Sequence, residues 1–299
     1  MRQYGQAGNT AGFEDGWPHP VTSPLLDVPE WRTLLFLGTE RRPNFRKGIM
    51  QIDVYVPFRN ERVIAPHILN YWALLPIRNI YLLDNETTDG SIDLIRQRFP
   101  HVYNIPQLGK FSDLTVLWFK NQTWKQWSRG QVDFVIISDF DEVVYADDIY
   151  AELQRMRDNG GTIANLKALC AWCTDENFPK DTELIHKQPG ILFRYDYHYD
   201  KKVLFDPNRL TELNYGPGCH WCNPQGDVKW YDAPINMFHF SHLGLEYFLS
   251  RRATQGPNLS EDNIRRGWGM EFIESPESLT KGYWGYQAEA KPLSEYMPT

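Results

Sequence analysis

Three carboxylates follow directly after an apolar run in the middle of the chain. Residues 133–145 read DFVIISDFDEVVY, in which Asp139, Asp141 and Glu142 come after four β-branched or aromatic residues. Like charges held this close repel, and the usual remedies are a raised pKa or a bound cation. Mg²⁺ or Mn²⁺ suits oxygen ligands and leaves coordination positions open for phosphate. The alternative is a solvated turn after a strand, because an Asp-x-Asp pair is common by chance.

The cysteines form a second group with metal-ligand spacing. All four fall in two C-x₂-C pairs, Cys170 with Cys173 and Cys219 with Cys222. Two such pairs are the usual ligand supply of a structural zinc ion. The pairs are farther apart than in a compact zinc ribbon, so the fold must bring them together. We predict a structural Zn²⁺ site, and the alternative is cysteines that pack as small apolar residues or form disulfides.

Length and charge narrow the class of protein. With 299 residues, 42% of them hydrophobic, the chain can bury the core of one large α/β domain, and its net charge of -7 argues against a general polyanion binder. Arginine pairs such as Arg251-Arg252 are of a kind usually found on the surface. The chain contains no apolar run of membrane-spanning length, and its N-terminal segment is polar and glycine-rich. These features predict a cytoplasmic protein without a transmembrane segment.

Alternating strand and helix patterns surround the acidic cluster. The apolar periodicity predicts strands at 52–56, 79–83 and 134–137, and helices at 62–75, 92–99 and 114–128. Such alternation implies a parallel sheet, and ligands collect at the carboxyl ends of parallel strands. Segments 190–197 and 202–205 predict antiparallel or edge strands. We divide the chain into an N-terminal arm or tail (1–48), the α/β domain (49–255) and a C-terminal extension that packs on it (256–299).

The loop DNETTDGS at 84–91 resembles a calcium-binding loop in composition only. A calcium loop needs Gly at its sixth position and Glu at its twelfth, which here are Asp89 and Ile95. The segment is better explained as a turn from a strand to a helix. Asp84, at the end of the strand, is then placed to accept hydrogen bonds from a nucleobase or a ribose.

Three ordered motifs carry a family resemblance. VPFRNE at 56–61, LLDNETTDGS at 82–91 and VDFVIISDFDE at 132–142 resemble the nucleotide-sugar glycosyltransferases of the GT-A fold, family 2 and its relatives in particular. HFSHLGLEYFLSRR at 239–252 resembles their C-terminal histidine segment and basic helix. The resemblance implies a Rossmann-like, mostly parallel central sheet with flanking helices and a small antiparallel C-terminal portion. Two departures are the bulk of Thr88 in the turn and the region 165–215, which carries no motif of the family.

The resemblance also implies an activity. It implies a metal-dependent hexosyl- or pentosyltransferase that moves a sugar from a nucleotide-diphosphate sugar to an acceptor hydroxyl with inversion. Mn²⁺ or Mg²⁺ would lie on Asp139 and Asp141, with His239 or His242 as a further ligand, although His239 also alternates with aromatic residues as a strand residue does. Asp175 or Glu176 would be the general base. The donor would contact Pro57, Arg59, Asn60, Glu61, Asp84, Asn85, Asp89, Lys110 and Asp139.

Several alternatives stay open at the level of sequence. A zinc-containing binding module would explain the cysteines, and a non-catalytic relative of the transferases would keep the fold. The acceptor is a glycan, a lipid-linked sugar or a modified base in nucleic acid. The oligomeric state is not predicted.

Overall fold

The computed structural model describes residues 50–180, 183–232 and 234–297. They belong to one compact unit. The arm predicted for residues 1–48 lies outside the described residues. The predicted boundaries of the α/β domain and the C-terminal extension stay predictions. No helix within the described ranges is long and apolar enough to cross a membrane.

The described residues alternate between strands and helices along the first half of the chain. The strands are β1 (Ile52–Phe58), β2 (Ile77–Asp84), β3 (Val102–Pro106), β4 (Phe134–Ile137), β5 (Glu142–Tyr145), β6 (Ile163–Ala164), β7 (Lys167–Cys173), β8 (Leu192–Tyr195), β9 (Leu204–Phe205), β10 (Leu210–Glu212), β11 (Gln225–Gly226), β12 (Trp230–Tyr231) and β13 (Asn236–Leu243). The helices are α1 (Ala65–Trp72), α2 (Ser91–Arg98), α3 (Asp113–Trp127), α4 (Ile149–Asp158), α5 (Leu245–Gln255), α6 (Glu261–Arg266) and α7 (Pro276–Gln287).

The central sheet has the order β12-β6-β9-β4-β1-β2-β3. β1 pairs in parallel with both β2 and β4, and β2 pairs in parallel with β3. Every residue of β4 is buried, as its uninterrupted apolar sequence predicts for a strand covered on both faces. The predicted α/β class, with a mostly parallel central sheet and flanking helices, is confirmed, and it is consistent with a GT-A fold.

β9 confirms the predicted antiparallel pairing but is not an edge strand. Segment 202–205 was expected to form an antiparallel or edge strand, and β9 is antiparallel to β4 and β6, yet it lies between them inside the sheet. A strand of two residues is too short for its apolar sequence pattern to show that another strand lies on each side of it.

A second, four-stranded sheet has the order β5-β13-β7-β8. β5 begins at the acidic cluster, and β13 pairs with it antiparallel so that His239 lies opposite Glu142. β13 also pairs in parallel with β7, which sets His239 opposite Cys170. The second sheet therefore brings the C-terminal histidine segment to the acidic cluster. Beyond β13, α5 and α7 pack on β7 through a cluster that contains Trp172, Phe248 and Tyr283.

Helix α3 faces the core with one unusual residue. Its buried side is formed by Val116, Phe119, Lys120, Thr123 and Trp124, at the three- and four-residue spacing of an amphipathic helix. Lys120 is only 1% exposed. A buried ammonium group requires a carboxylate partner, which the site supplies.

Candidate active site

A cavity of about 440 Å³ lies at the carboxyl ends of β1 and β4. Its size is within the range of small-molecule sites. Its lining includes Pro57, Arg59, Asn60 and Glu61 after β1, Asp139, Asp141 and Glu142 after β4, Asp113 and Lys120 on α3, Tyr199 and Lys201 before β9, His239 on β13, Arg251 and Arg252 on α5, and Trp268, Glu271 and Phe272 after α6. The first and third family-like motifs therefore meet in one crevice.

Asp139 is held by two lysines. Lys120 Nζ lies 2.7 Å from Asp139 Oδ1, and Lys201 Nζ lies 2.8 Å from Oδ2 and 2.6 Å from Glu142 Oε1. Burial acts to raise the pKa of Asp139, but the two ammonium groups hold it below its usual value. The side chain of Asp139 is still 37% exposed, toward the cavity, whereas the lysines are 1% and 3% exposed. Asp139 can therefore meet a ligand while the lysines stay behind it.

Asp141 is enclosed by cations instead of facing the cavity openly. Arg251 donates from Nη1 to Asp141 and from Nη2 to Glu61 Oε1 at 2.9 Å. His239 Nε2 lies 3.4 Å from Asp141 Oδ2. The side chain of Asp141 is only 3% exposed. Arg251 thus joins the carboxylates that follow β1 and β4.

The electrostatics of this group follow from burial and pairing. Burial acts to raise the pKa of Asp141, but Arg251 and His239 hold it well below its usual range. Burial acts to lower the pKa of His239, and Asp141 raises it well above its usual value. For Glu61 burial outweighs Arg251 and raises the pKa to about 7.

A divalent cation does not fit these carboxylates as they are arranged. Both oxygens of Asp139 accept from lysines, and Asp141 is closed off by Arg251 and His239. No group of three or more His, Cys, Asp or Glu side chains in the described part of the chain is placed to hold a metal ion. The repulsion that led us to predict Mn²⁺ or Mg²⁺ is relieved here by side-chain cations from distant segments.

His242, the second histidine predicted as a metal ligand, has a packing role. Its ring stacks on Phe248 and Tyr286 at centroid distances of 4.9 and 4.3 Å, and its Nδ1 lies 2.7 Å from Ser241 Oγ. It does not line the cavity. Burial lowers the pKa of His242 from 6.5 to about 3, with smaller contributions from nearby cations.

We expect His242→Phe to reduce the acid sensitivity of the fold. The native pKa lies below 6.5, so on acidification the unfolded state binds the proton first and stability is lost as the pH falls from about 6.5 toward 3. Between pH 6.5 and pH 5, the free energy of unfolding measured with urea should fall by about 2 kcal/mol more in the wild type than in the variant, whose phenylalanine ring keeps the stacking. Equal losses in the two proteins would mean that His242 is not buried in its neutral form.

The cysteines do not form the predicted zinc site. Cys170 Sγ lies 3.7 Å from His239 Nδ1, and Cys173 is part of the main hydrophobic core. Cys219 and Cys222 belong to a separate hydrophobic cluster around β4 and α3. All four are free thiols. The sequence spacing suggested zinc, but the two pairs pack in different parts of the core, so the packing alternative is the one that the structure supports.

The second motif divides between two surfaces. Asn85 lines the main cavity, where its Oδ1 accepts from Arg59 Nη1 at 3.2 Å and from Asn258 Nδ2 at 2.6 Å. Asp84 lines a separate, more open depression, and its carboxylate accepts from the backbone N–H of Thr87 at 2.9 Å and from Asn104 Nδ2 at 3.2 Å. Adjacent residues at a strand end thus point to different sides.

Two other predicted donor residues lie away from the main cavity. Asp89 accepts from the backbone N–H of Arg62 at 2.8 Å and from that of Ser91 at 2.9 Å. It therefore links the segment after β1 to the start of α2. Lys110 is exposed and does not line the cavity, although Phe111 beside it does.

The predicted general bases also lie outside the cavity. Asp175 and Glu176 are exposed, and Asp175 Oδ1 accepts from the backbone N–H of Glu246 at 2.9 Å in the first turn of α5. Asp113 and Glu271 are carboxylates that do line the cavity. Burial, with Asp139 nearby, raises the pKa of Asp113 to about 6.

Sequence reasoning missed the cations of the site. Arg251 and Arg252 were interpreted as a surface pair, but both line the cavity. The guanidinium of Arg252 lies over the rings of Phe248 and Phe272, at 5.2 and 4.7 Å from the centroids. For Lys120 a signal existed, because a single lysine on the apolar face of a helix predicts a buried ion pair.

Comparisons with known proteins give distant structural matches. No family model and no curated protein matches the chain. One solved structure that resembles it is S. aureus TarS 1-349, with 12% identity, coverage of 70% of this chain and 65% of that chain, and a TM-score of 0.39. A second is 4-diphosphocytidyl-2C-methyl-D-erythritol synthase from Anaerococcus prevotii, with 9% identity, coverage of 53% of this chain and 70% of that chain, and a TM-score of 0.31. A third is the mannosyltransferase PcManGT from Pyrobaculum calidifontis in complex with GDP-Man and Mn²⁺, with 17% identity, coverage of 46% of this chain and 41% of that chain, and a TM-score of 0.29. The chain thus spans 65% of the length of the TarS fragment. Scores this low establish no family membership.

Proposed function

We propose that the chain is a glycosyltransferase that binds a nucleotide-diphosphate sugar in the main cavity. The observation that carries the proposal is the convergence of Asp139, Glu61 and the Arg251-Arg252 pair on one crevice at the carboxyl ends of parallel strands. Such a crevice is where open α/β sheets bind nucleotides. The spacing of the three sequence motifs supports the same activity.

The cavity offers different chemistry for each part of the donor. Aromatic rings of Phe111 and Trp268 supply flat faces for a nucleobase. The partly exposed Asp139 is suited to accept hydrogen bonds from ribose hydroxyls. Arg251 and Arg252 supply positive charge for the diphosphate, on which negative charge builds as the sugar leaves.

A carboxylate that lines the cavity is needed to take the proton of the acceptor hydroxyl. Asp113 and Glu271 meet that requirement by position, and the pKa of Asp113, about 6, suits a base at neutral pH. For Asp175 and Glu176 to act, the acceptor would have to bring the reacting hydroxyl to them. We propose transfer with inversion to a hydroxyl of a glycan, a lipid-linked sugar or a modified nucleic acid.

Nucleotide binding tests the proposal without knowledge of the acceptor. We expect one or more of UDP, GDP, CDP, ADP and TDP to raise the melting temperature, because a ligand at about 100 times its Kd adds about 2.7 kcal/mol to stability. The matching nucleoside should have a smaller effect, since it lacks the diphosphate. Absence of stabilisation by every nucleotide, with EDTA and with Mn²⁺, would contradict the proposed donor site.

A binding-only relative is distinguished by turnover. If a nucleotide binds but none of the corresponding sugar nucleotides is consumed, with any acceptor or by hydrolysis, the chain is a non-catalytic relative of the transferases. The alternative of a zinc-containing binding module loses its basis, because the cysteines lie in separate clusters.

A further inference from the structure

We propose that Arg251 takes the place of a divalent cation between Glu61 and Asp141, and that Arg252 is the anion-binding group for the donor diphosphate. Nucleotide binding and transfer then require no metal ion. This inference deepens the proposed function and rests on it. It departs from the metal dependence that the sequence resemblance implies.

The position of Arg251 supports the first half of the proposal. Its guanidinium bridges a carboxylate that follows β1 and one that follows β4, two strands that lie side by side. A metal ion shared by these motifs would have to occupy the same space. The side chains of Glu61, Asp141 and Arg251 are 9%, 3% and 18% exposed, so water does little to screen the two carboxylates from each other. Arg251 therefore neutralises a pair that would otherwise repel strongly.

The lysines of the cavity complete the neutralisation of the acidic cluster. Lys120 and Lys201 occupy both oxygens of Asp139, and Lys201 also contacts Glu142. While these contacts hold, the two ammonium groups beside Asp139 already neutralise its charge and repel a metal ion, although its oxygens can still accept a hydrogen bond from a neutral hydroxyl. Every carboxylate of the predicted metal site already has a side-chain cation as its partner.

Arg252 differs from the other cations because its partners are aromatic. It lies over Phe248 and Phe272 and forms no ion pair with a carboxylate of the described residues. Stacking on ring faces fixes the plane of a guanidinium and leaves its N–H edge available for hydrogen bonds. The planar fork matches the oxygens of a phosphate. Burial and the adjacent Arg251 lower the pKa of Arg252, so an anion in the cavity would stabilise its charge.

The metal requirement is tested by titration of UDP, GDP, CDP, ADP and TDP into the purified protein in EDTA and in Mn²⁺. We expect the affinity for the preferred nucleotide to agree within about threefold in the two conditions, and sugar-nucleotide turnover to persist in EDTA. Binding or turnover that disappears in EDTA and returns with Mn²⁺ would overturn the inference but leave the proposed function standing. If no nucleotide binds in either condition, the donor site itself is wrong.

The role of Arg252 is tested by charge removal with a matched control. Arg252→Gln should lower the affinity for the nucleoside diphosphate at least about tenfold and leave that for the uncharged nucleoside unchanged. Arg252→Lys, which keeps the charge without the planar fork, should lose less. Arg265→Gln, a change at an exposed arginine of α6, should match the wild type. Equal diphosphate affinity in Arg252→Gln and Arg265→Gln would overturn the assignment, as would a matching loss of nucleoside affinity.

Discussion

Asp139→Asn is expected to lower the free energy of unfolding by about 2 to 4 kcal/mol, because it removes the carboxylate that two buried lysines share. Lys201 keeps Glu142 as a partner, but Lys120, which is 1% exposed, loses the carboxylate that forms its only ion pair among the described residues. An unpaired buried charge is costly, and the exposure of Asp139 to the cavity places the cost below that of a fully enclosed pair. Urea unfolding at pH 7 measures the change.

Two further variants separate this effect from a general loss of stability. Asp158→Asn alters an exposed carboxylate at the end of α4 and should leave stability nearly unchanged. Lys120→Met in the Asp139→Asn background should recover part of the loss, because it removes the unpaired charge. A double variant less stable than Asp139→Asn alone would show that the unpaired charge of Lys120 is not what destabilises Asp139→Asn.

Arg251→Ala is expected to lower turnover at least about 10²-fold, because the variant loses charge stabilisation at the leaving group. It also removes the cation that bridges Glu61 and Asp141, and leaves His239 as the one basic partner of Asp141 among the described residues. Two buried carboxylates so placed favour a bound cation. We therefore expect Mn²⁺ to raise the melting temperature of Arg251→Ala more than that of the wild type, and to restore part of the turnover.

Arg265→Ala serves as the control for this experiment. It removes an exposed arginine and should change neither turnover nor the response to Mn²⁺. A wild-type protein that responds to Mn²⁺ more strongly than Arg251→Ala would mean that Arg251 does not stand in for a metal ion.

The strands that position the site follow from local sequence. β1, β2 and β4 are short apolar runs separated by helical periodicity, and burial on both faces of a parallel sheet is the direct physical reason for that composition. The ends of these strands could therefore be predicted as the place where Asp139 and Asp141 lie.

The partners of the acidic cluster could not be predicted in the same way. Arg251 is 190 residues from Glu61 and 110 residues from Asp141 in the sequence, and Lys201 contacts Asp139 from a segment without a recognisable motif. Such contacts depend on how β13 and α5 are placed on the sheet, which no local pattern specifies. Charge repulsion in the sequence showed that a cation was needed, but not whether it would be a metal ion or a side chain.

The most direct test of the proposed transferase site is to incubate the protein with a panel of sugar nucleotides in EDTA. Chromatography then measures how much nucleoside diphosphate is released over time. We expect time-dependent release from at least one donor, with kcat/KM lowered at least about tenfold in Arg252→Gln and unchanged in Arg265→Gln. No release from any donor in either EDTA or Mn²⁺, or equal release by both variants, would contradict the assignment of this cavity as the donor site of a glycosyltransferase.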